Sequence, residues 1–382
     1  MELLKDYEII LGTYEAFVLG YKSTEGRKPI LETSFADHAH ASSIKSIAAG
    51  DKFLISAGGD EIVKIFNLRN RTEHGTLNHA DSTINAMKFY DKKHLITCAE
   101  DGKVCILKTG TWNVEKTLLK HNLGVIDIAV HPSGKMALTI GKDRKLVTWN
   151  LIKGRSAFVT NIKEVADFVK WFPDGQRYLV GFYKHVDIYS VANASIEHTV
   201  TLNGRSNDVA FLDDNIFALA GEMPHVEIHS LITKEMLYKF PAHETRVRCL
   251  AFIEPFCLIT SSNDGKVKVW KLAKTEDSYE ATEQAVVDTK CRITSMVVHK
   301  VPPVAQTPTI NKEDIEALAS IAVKSKKRSI GFADDTKPEE ICLDVTATPS
   351  APKEKIVVEV DSEEPQVSKK KRRKKKKSVE DC

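Results

Sequence analysis

A four-residue step recurs along this chain: Ser56 to Asp60, Thr97 to Asp101, Thr139 to Asp143 and Thr260 to Asp264. Each Ser or Thr lies in an apolar run, and each Asp closes the turn that follows. Six residues past each Asp stands a large apolar side chain: Phe66, Leu107, Trp149 and Trp270. About twenty residues before each Asp comes a histidine: His40, His79, His121 and His243. A pattern written four times at a period near forty residues describes a repeat array, in which each unit buries its apolar face only against its neighbours.

Aligned on the histidines, the units continue through Asn161 and Asn203, with successive gaps of 39, 42, 40, 42 and 40 residues. Period and pattern resemble WD40 repeats, whose units each form four short strands of a propeller blade. In the second unit the strands read INAMKFY, HLITCAE, KVCILKT and VEKTLLK, β-branched runs bounded by turn residues. The third and sixth units hold the complete sets His121, Thr139, Asp143, Trp149 and His243, Thr260, Asp264, Trp270. In each set the Asp is expected to accept turn N–H groups, the His to bridge Asp and hydroxyl, and the Trp to cap them. The fourth and fifth units keep strands but lack the His and the Asp turn, so packing alone is expected to hold them.

A seventh unit is split. YEIILGTY, EAFVLGYKS and PILETSFA at the start give three strands, and RITSMVVH (292–299) gives a single strand after the sixth unit. Joining them closes the ring and removes the exposed sheet edges of an open array. The expected fold is therefore all-β: a seven-bladed WD40 propeller over residues 1–300 with a split closing blade. Residues 301–382 are expected to form a mostly disordered tail with a short helix at 311–325.

The net charge of +3 conceals a local extreme. Lys369, Lys370, Lys371, Arg372, Arg373, Lys374, Lys375, Lys376 and Lys377 are nine consecutive cations, and the remaining chain is slightly acidic. Such a run repels itself and suits nuclear or nucleolar targeting and contact with RNA phosphates. No aromatic residue interrupts it, which disfavours base stacking. The seven cysteines form no C-x-x-C pair and suit a reducing compartment. No apolar run reaches the length of a membrane span, so neither secretion nor membrane insertion is expected.

The stretch HPSGKMALTIGKDRKLVTWNLIKGRSAFVTNIK (131–163), with EHGTLNH (73–79) and HLITCAEDG (94–102), resembles the p21-activated-kinase-interacting protein family. The resemblance implies a nucleolar WD40 factor of large-subunit ribosome assembly, with pre-60S factors and pre-rRNA as partners. It also implies a second role, negative regulation of a p21-activated kinase. A monomer within a larger complex is expected, without cofactor, metal or small-molecule substrate.

Catalysis is disfavoured by placement. Asp, His and Ser/Thr are the members of a hydrolase triad, but each set belongs to a different blade and the carboxylates do not converge on one substrate. Asp37, His38 and His40 form a weak metal pattern, better read as His40 in its repeat set and His38 exposed. Cys98 and Cys105, on adjacent strands, read as packed thiols.

Overall fold

The computed structural model describes residues 4, 6–24, 30–77, 81–275 and 278–301. By contact the chain divides into Met1–Ala305 and Gln306–Cys382. Among the described residues the chain forms 28 strands and no α-helix. They make seven four-stranded antiparallel sheets, so the chain is the WD40-type propeller that the period predicts.

Numbered in chain order, the strands on the propeller axis are β4 (Ile44–Ala49), β8 (Ile84–Phe89), β12 (Val125–Val130), β16 (Phe168–Trp171), β20 (Ser206–Asp213), β24 (Val247–Ile253) and β28 (Ile293–Lys300). Each touches the next around the ring, and β28 touches β4. Blades one to six begin at β4, β8, β12, β16, β20 and β24. The seventh has the order β28, β1 (Tyr7–Thr13), β2 (Phe17–Ser23), β3 (Leu31–His38). Ile10 pairs Val297 and Leu11 pairs Met296 on one side, and Leu11 pairs Leu19 on the other. The ends of the chain's propeller portion thus share one sheet.

Burial falls from the axis outward. Met136–Gly141 in the third blade is almost wholly buried, whereas its rim strand Arg155–Asn161 is mostly exposed. The apolar core lies between blades rather than within them. One cluster joins Ile96, Cys98 and Val104 of the second blade to Val125, Val147 and Trp149 of the third. No blade encloses its own core, which is why the array is stable only as a ring.

A buried ion pair reinforces the closing seam. Glu8 of β1 is 1% exposed and receives both terminal nitrogens of Arg71, with the Nη2 contact at 2.9 Å. Arg71 lies in the first blade, on the turn before Thr72–Leu77, and also covers the Phe35 ring. Ser34 donates to the same carboxylate.

Candidate functional site

The repeated polar sets lie on one edge of the ring, where rim strands connect to the next axial strand and where the second and third strands of each blade turn. In the third blade the set forms a continuous relay. Trp149 Nε1 donates to Thr139 Oγ1 at 2.8 Å, and Thr139 lies 2.8 Å from His121 Nε2. His121 Nδ1 lies 3.0 Å from Asp143 Oδ1. Asp143 also accepts the Asn122 N–H at 3.0 Å and the Lys145 N–H at 3.3 Å. In this relay the Thr139 hydroxyl accepts from Trp149 and an N–H at His121 Nδ1 donates to Asp143. Burial pushes the Asp143 carboxyl up, but the His121 bond, the Asn122 amide and the charges of His121 and Lys145 outweigh it, leaving it below the usual value.

The first blade repeats this without a tryptophan. His40 Nε2 lies 2.8 Å from Ser56 Oγ, and its Nδ1 lies 3.1 Å from Asp60 Oδ1. Asp60 accepts the Ala41 and Ile62 N–H groups. Burial holds the His40 imidazole below its ordinary value. Phe66 fills the tryptophan position as an apolar packer. In the second blade Thr97 is buried, while the exposed Asp101 accepts the Lys103 N–H at 2.9 Å and pairs with its ammonium. His79 lies outside the described residues.

The sixth blade departs from the expected relay. Trp270 Nε1 donates to Thr260 at 3.0 Å and His243 Nε2 lies 2.7 Å from the same oxygen. His243 Nδ1, however, is buried without a hydrogen-bond partner, and Asp264 accepts only the Lys266 N–H at 3.1 Å. The expected His243–Asp264 bridge is therefore corrected to an open gap. Two residues before the Asp, the first and third blades have glycine. A Cβ on Gly141 would come within 2.5 Å of His121 Nδ1 and 2.6 Å of Asp143 Oδ1, and one on Gly58 would strike His40 and Asp60. The sixth blade has Ser262 there, bonded to Thr245 Oγ1 at 2.7 Å and to the Arg246 carbonyl at 3.1 Å. The side chain at this position occupies the space through which His and Asp would meet. Burial without that bond holds the His243 imidazole down to about 4, despite the opposing charge of Asp264.

The turn after each Asp has a fixed requirement. Glu61, Gly102, Arg144 and Gly265 all have positive φ, at 64°, 88°, 57° and 89°. Glycine meets it without strain, whereas Glu61 and Arg144 do so at a cost.

The fourth and fifth blades are not held by packing alone. Thr199 donates to Asp187 at 2.7 Å in the fourth. In the fifth, Glu227 draws together His225, His229 and Lys239 within 3.1–3.3 Å. The His229 bond and the Lys239 ammonium outweigh burial and pull the Glu227 carboxyl down to about 2. Arg205 pairs with Asp167 across the two blades. These residues fit no repeat signature, so the sequence pattern passed over them.

A second set of contacts ties the axial strands to one another. Asp127 Oδ2 accepts the Val169 N–H at 3.0 Å, and Asp208 Oδ2 accepts the Leu250 N–H at 2.8 Å. Ser46 Oγ accepts the Met87 N–H at 3.1 Å at the equivalent place. Asn85 and Asn207 donate to the carbonyls of Val125 and Val247. The contacts link residues some forty positions apart, and their only sequence trace is a polar residue inside an apolar axial strand.

The hydroxyl residues of these sets, Ser56, Thr139 and Thr260, are fully buried. The four carboxylates Asp60, Asp101, Asp143 and Asp264 stand in four blades. His38 is exposed against Phe17, and among the described residues no group of His, Cys, Asp and Glu could hold a metal. Cys98 and Cys105 are buried free thiols. Burial pushes the Cys98 thiol well up, which makes it unreactive. The polar sets tie together loops of one face in the first, third and sixth blades. On the same face Tyr14, Leu123, Val165 and Tyr183 stand exposed, Leu123 beside a set and the other three in blades without one, an arrangement suited to contact with another macromolecule. The helix expected at 311–325 and the basic run at 369–377 lie outside the described residues.

The family model described as WD domain, G-beta repeat matches residues 234–271, the span from the rim of the fifth blade to Trp270 and Lys271 of the sixth. The chain is 37% identical over 295 residues to "p21-activated protein kinase-interacting protein 1-like" of Danio rerio, covering 76% of this chain and 80% of the relative. The Gallus gallus protein of the same description is 35% identical over 294 residues, with the same coverage. "p21-activated protein kinase-interacting protein 1" of Homo sapiens is 32% identical over 325 residues, 80% of this chain and 83% of that protein. The chain belongs to the p21-activated protein kinase-interacting protein family. As a family member it is a WD40 propeller, a fold that mediates protein interactions.

Proposed function

We propose that this protein is a non-catalytic scaffold for assembly of the large ribosomal subunit in the nucleolus, contributing to pre-rRNA processing. The observation that carries the reading is the run of nine cations at 369–377, joined in one chain to a closed seven-bladed propeller. Neutralising several RNA phosphates gives strong, sequence-independent and salt-sensitive binding. The propeller then supplies what the run lacks, a shaped surface that selects pre-60S assembly factors. The family resemblance in 131–163 supports the same reading.

The test compares full-length protein with a variant in which residues 369–377 are replaced by alternating Gly and Ser. Full-length protein is expected in nucleoli and in pre-60S sedimentation fractions, with precursor rRNA accumulating on its depletion. Unchanged 60S levels and unchanged precursors after depletion would overturn the proposal. If the variant leaves the nucleolus yet still joins pre-60S particles in extract, the propeller carries recognition and the run carries address.

A second reading is favoured by the names of the relatives: binding to a p21-activated kinase. It predicts direct association of the purified protein with such a kinase, independent of the basic run, and lowered kinase output. Absence of both effects removes this reading.

A further inference from the structure

The seam between the seventh and first blades holds a cavity of about 100 Å³, lined by Phe35 and Asp37 of β3 and by Leu54, Phe66, Leu68 and Arg71 of the first blade. Two residue choices leave this space. One third-strand position is Ile65, Ile106, Thr148, Ile188, Ile228 and Val269 in blades one to six, and Gly20 in the seventh. The Phe35 ring lies against the Gly20 backbone, where an added Cβ would strike the ring and come 2.6 Å from Ser34 Oγ. The ring thus leans onto its own sheet instead of filling the gap between blades. Across that gap Phe66 stands where the third and sixth blades have Trp149 and Trp270, and it is the smaller side chain.

The cavity is apolar at its buried end and charged at its mouth. Leu54 is 0% exposed and Phe66 5%, while Ala36 is exposed and Asp37 half-buried. Water settles in such a space only with two or more polar partners, and the polar groups here are mostly engaged. Arg71 is held by Glu8, and Asn67 Oδ1 accepts the Arg69 N–H at 2.9 Å. Among the described residues no hydrogen bond or ion pair reaches the Asp37 carboxylate. The Glu8–Arg71 pair is neutral as a unit, so the uncompensated charge at the mouth is negative.

We propose that this cavity docks one leucine-sized aliphatic side chain of a protein partner, in a segment that carries lysine beside it. An apolar cavity of about 150 Å³ accepts benzene, so the smaller space here suits an aliphatic group rather than a ring. Phe35, Leu54, Phe66 and Leu68 supply its walls. At the mouth the Asp37 carboxylate complements the ammonium of the neighbouring lysine. β3 is the outer strand of its sheet, so an extended segment reaches the mouth from the rim without displacing a strand. The proposal goes beyond the ribosomal reading and does not depend on it.

The test is leucine-methyl NMR of the full-length protein, with the Leu54 and Leu68 signals assigned by their loss in Leu54→Ile and Leu68→Ile. The probes are acetyl-Lys-Leu-Lys-amide, acetyl-Lys-Ala-Lys-amide, which lacks the aliphatic anchor, and acetyl-Glu-Leu-Glu-amide, which reverses the charge. Saturable movement of both signals is expected with the first peptide, and binding of the other two should be about fivefold weaker or more. Asp37→Asn should weaken the first peptide about fivefold, as loss of a partly exposed ion pair does. Phe66→Trp should abolish the response by filling the cavity with the side chain that the third and sixth blades use, the unmoved Leu138 signal reporting an intact fold. No saturable movement, or equal binding of all the peptides, overturns the proposal. Unchanged affinity in Asp37→Asn overturns the basic neighbour, and unchanged affinity in Phe66→Trp overturns the cavity as the site. Movement of both signals when the protein alone is concentrated makes a second copy the occupant and overturns a foreign partner.

Discussion

Replacing Gly141 by alanine tests whether the glycine before the repeat Asp exists to let histidine and carboxylate meet. The added Cβ would lie 2.5 Å from His121 Nδ1 and 2.6 Å from Asp143 Oδ1, so one of them must move. The bond at risk is buried, with the His121 side chain 0% and the Asp143 side chain 6% exposed. A hydrogen bond to a charged group contributes about 1.5–3 kcal/mol, and its loss leaves His121 Nδ1 buried without a partner. Alanine restricts the unfolded chain and returns about 0.4–1 kcal/mol. The net expectation is a loss of about 1–2 kcal/mol, confined to the third blade. Native-state hydrogen exchange of the amides in Met136–Gly141 and Lys145–Asn150 reads it directly. The decisive control is Asp143→Ala: on that background Gly141→Ala should be neutral or slightly stabilising, because no bond remains to break. Equal destabilisation on both backgrounds would refute the argument and place the glycine's role in backbone conformation.

Other expectations follow from the same geometry. His243 is held down to about 4 in the fold against an ordinary 6.5, so the unfolded chain binds more protons between these values and stability falls as pH drops through that window. The loss is about 3 kcal/mol by pH 4, and His243→Asn should flatten the pH dependence of urea unfolding there. Arg71→Met leaves the Glu8 carboxylate buried without its partner and should destabilise the closing seam by about 3 kcal/mol. Faster limited proteolysis between the first and seventh blades checks this. Arg144→Gly and Glu61→Gly each relieve a left-handed side-chain residue and should stabilise by about 0.5 kcal/mol, read as a higher urea midpoint.

The legible part of this protein was whatever repeats. The strands of the second unit lie within a residue or two of the runs read from the sequence, for example INAMKFY at Ile84–Phe89 and HLITCAE at His94–Ala99. The split blade was legible because three orphan strands at one end and one at the other leave a single way to close the ring. The relay of His121, Thr139, Asp143 and Trp149 was legible because each member sits at a fixed offset from the next. The sixth blade shows where such reading stops. His243, Thr260, Asp264 and Trp270 have the right offsets, but whether His243 meets Asp264 turns on a side chain at 262 that the pattern does not include.

By itself the sequence determined the fold class, the blade count and the family, because periodic spacing and strand pairing inside a blade are local properties of the chain. Only the tertiary structure decided what happens between blades. The Asp127 and Asp208 clamps and the Glu8–Arg71 seam carry no repeat signature. The clamps join residues about forty positions apart, and the seam joins residues 63 apart. Those residues become neighbours only once seven sheets have packed around one axis, where convergence of the strands, not their order, sets which charges face each other.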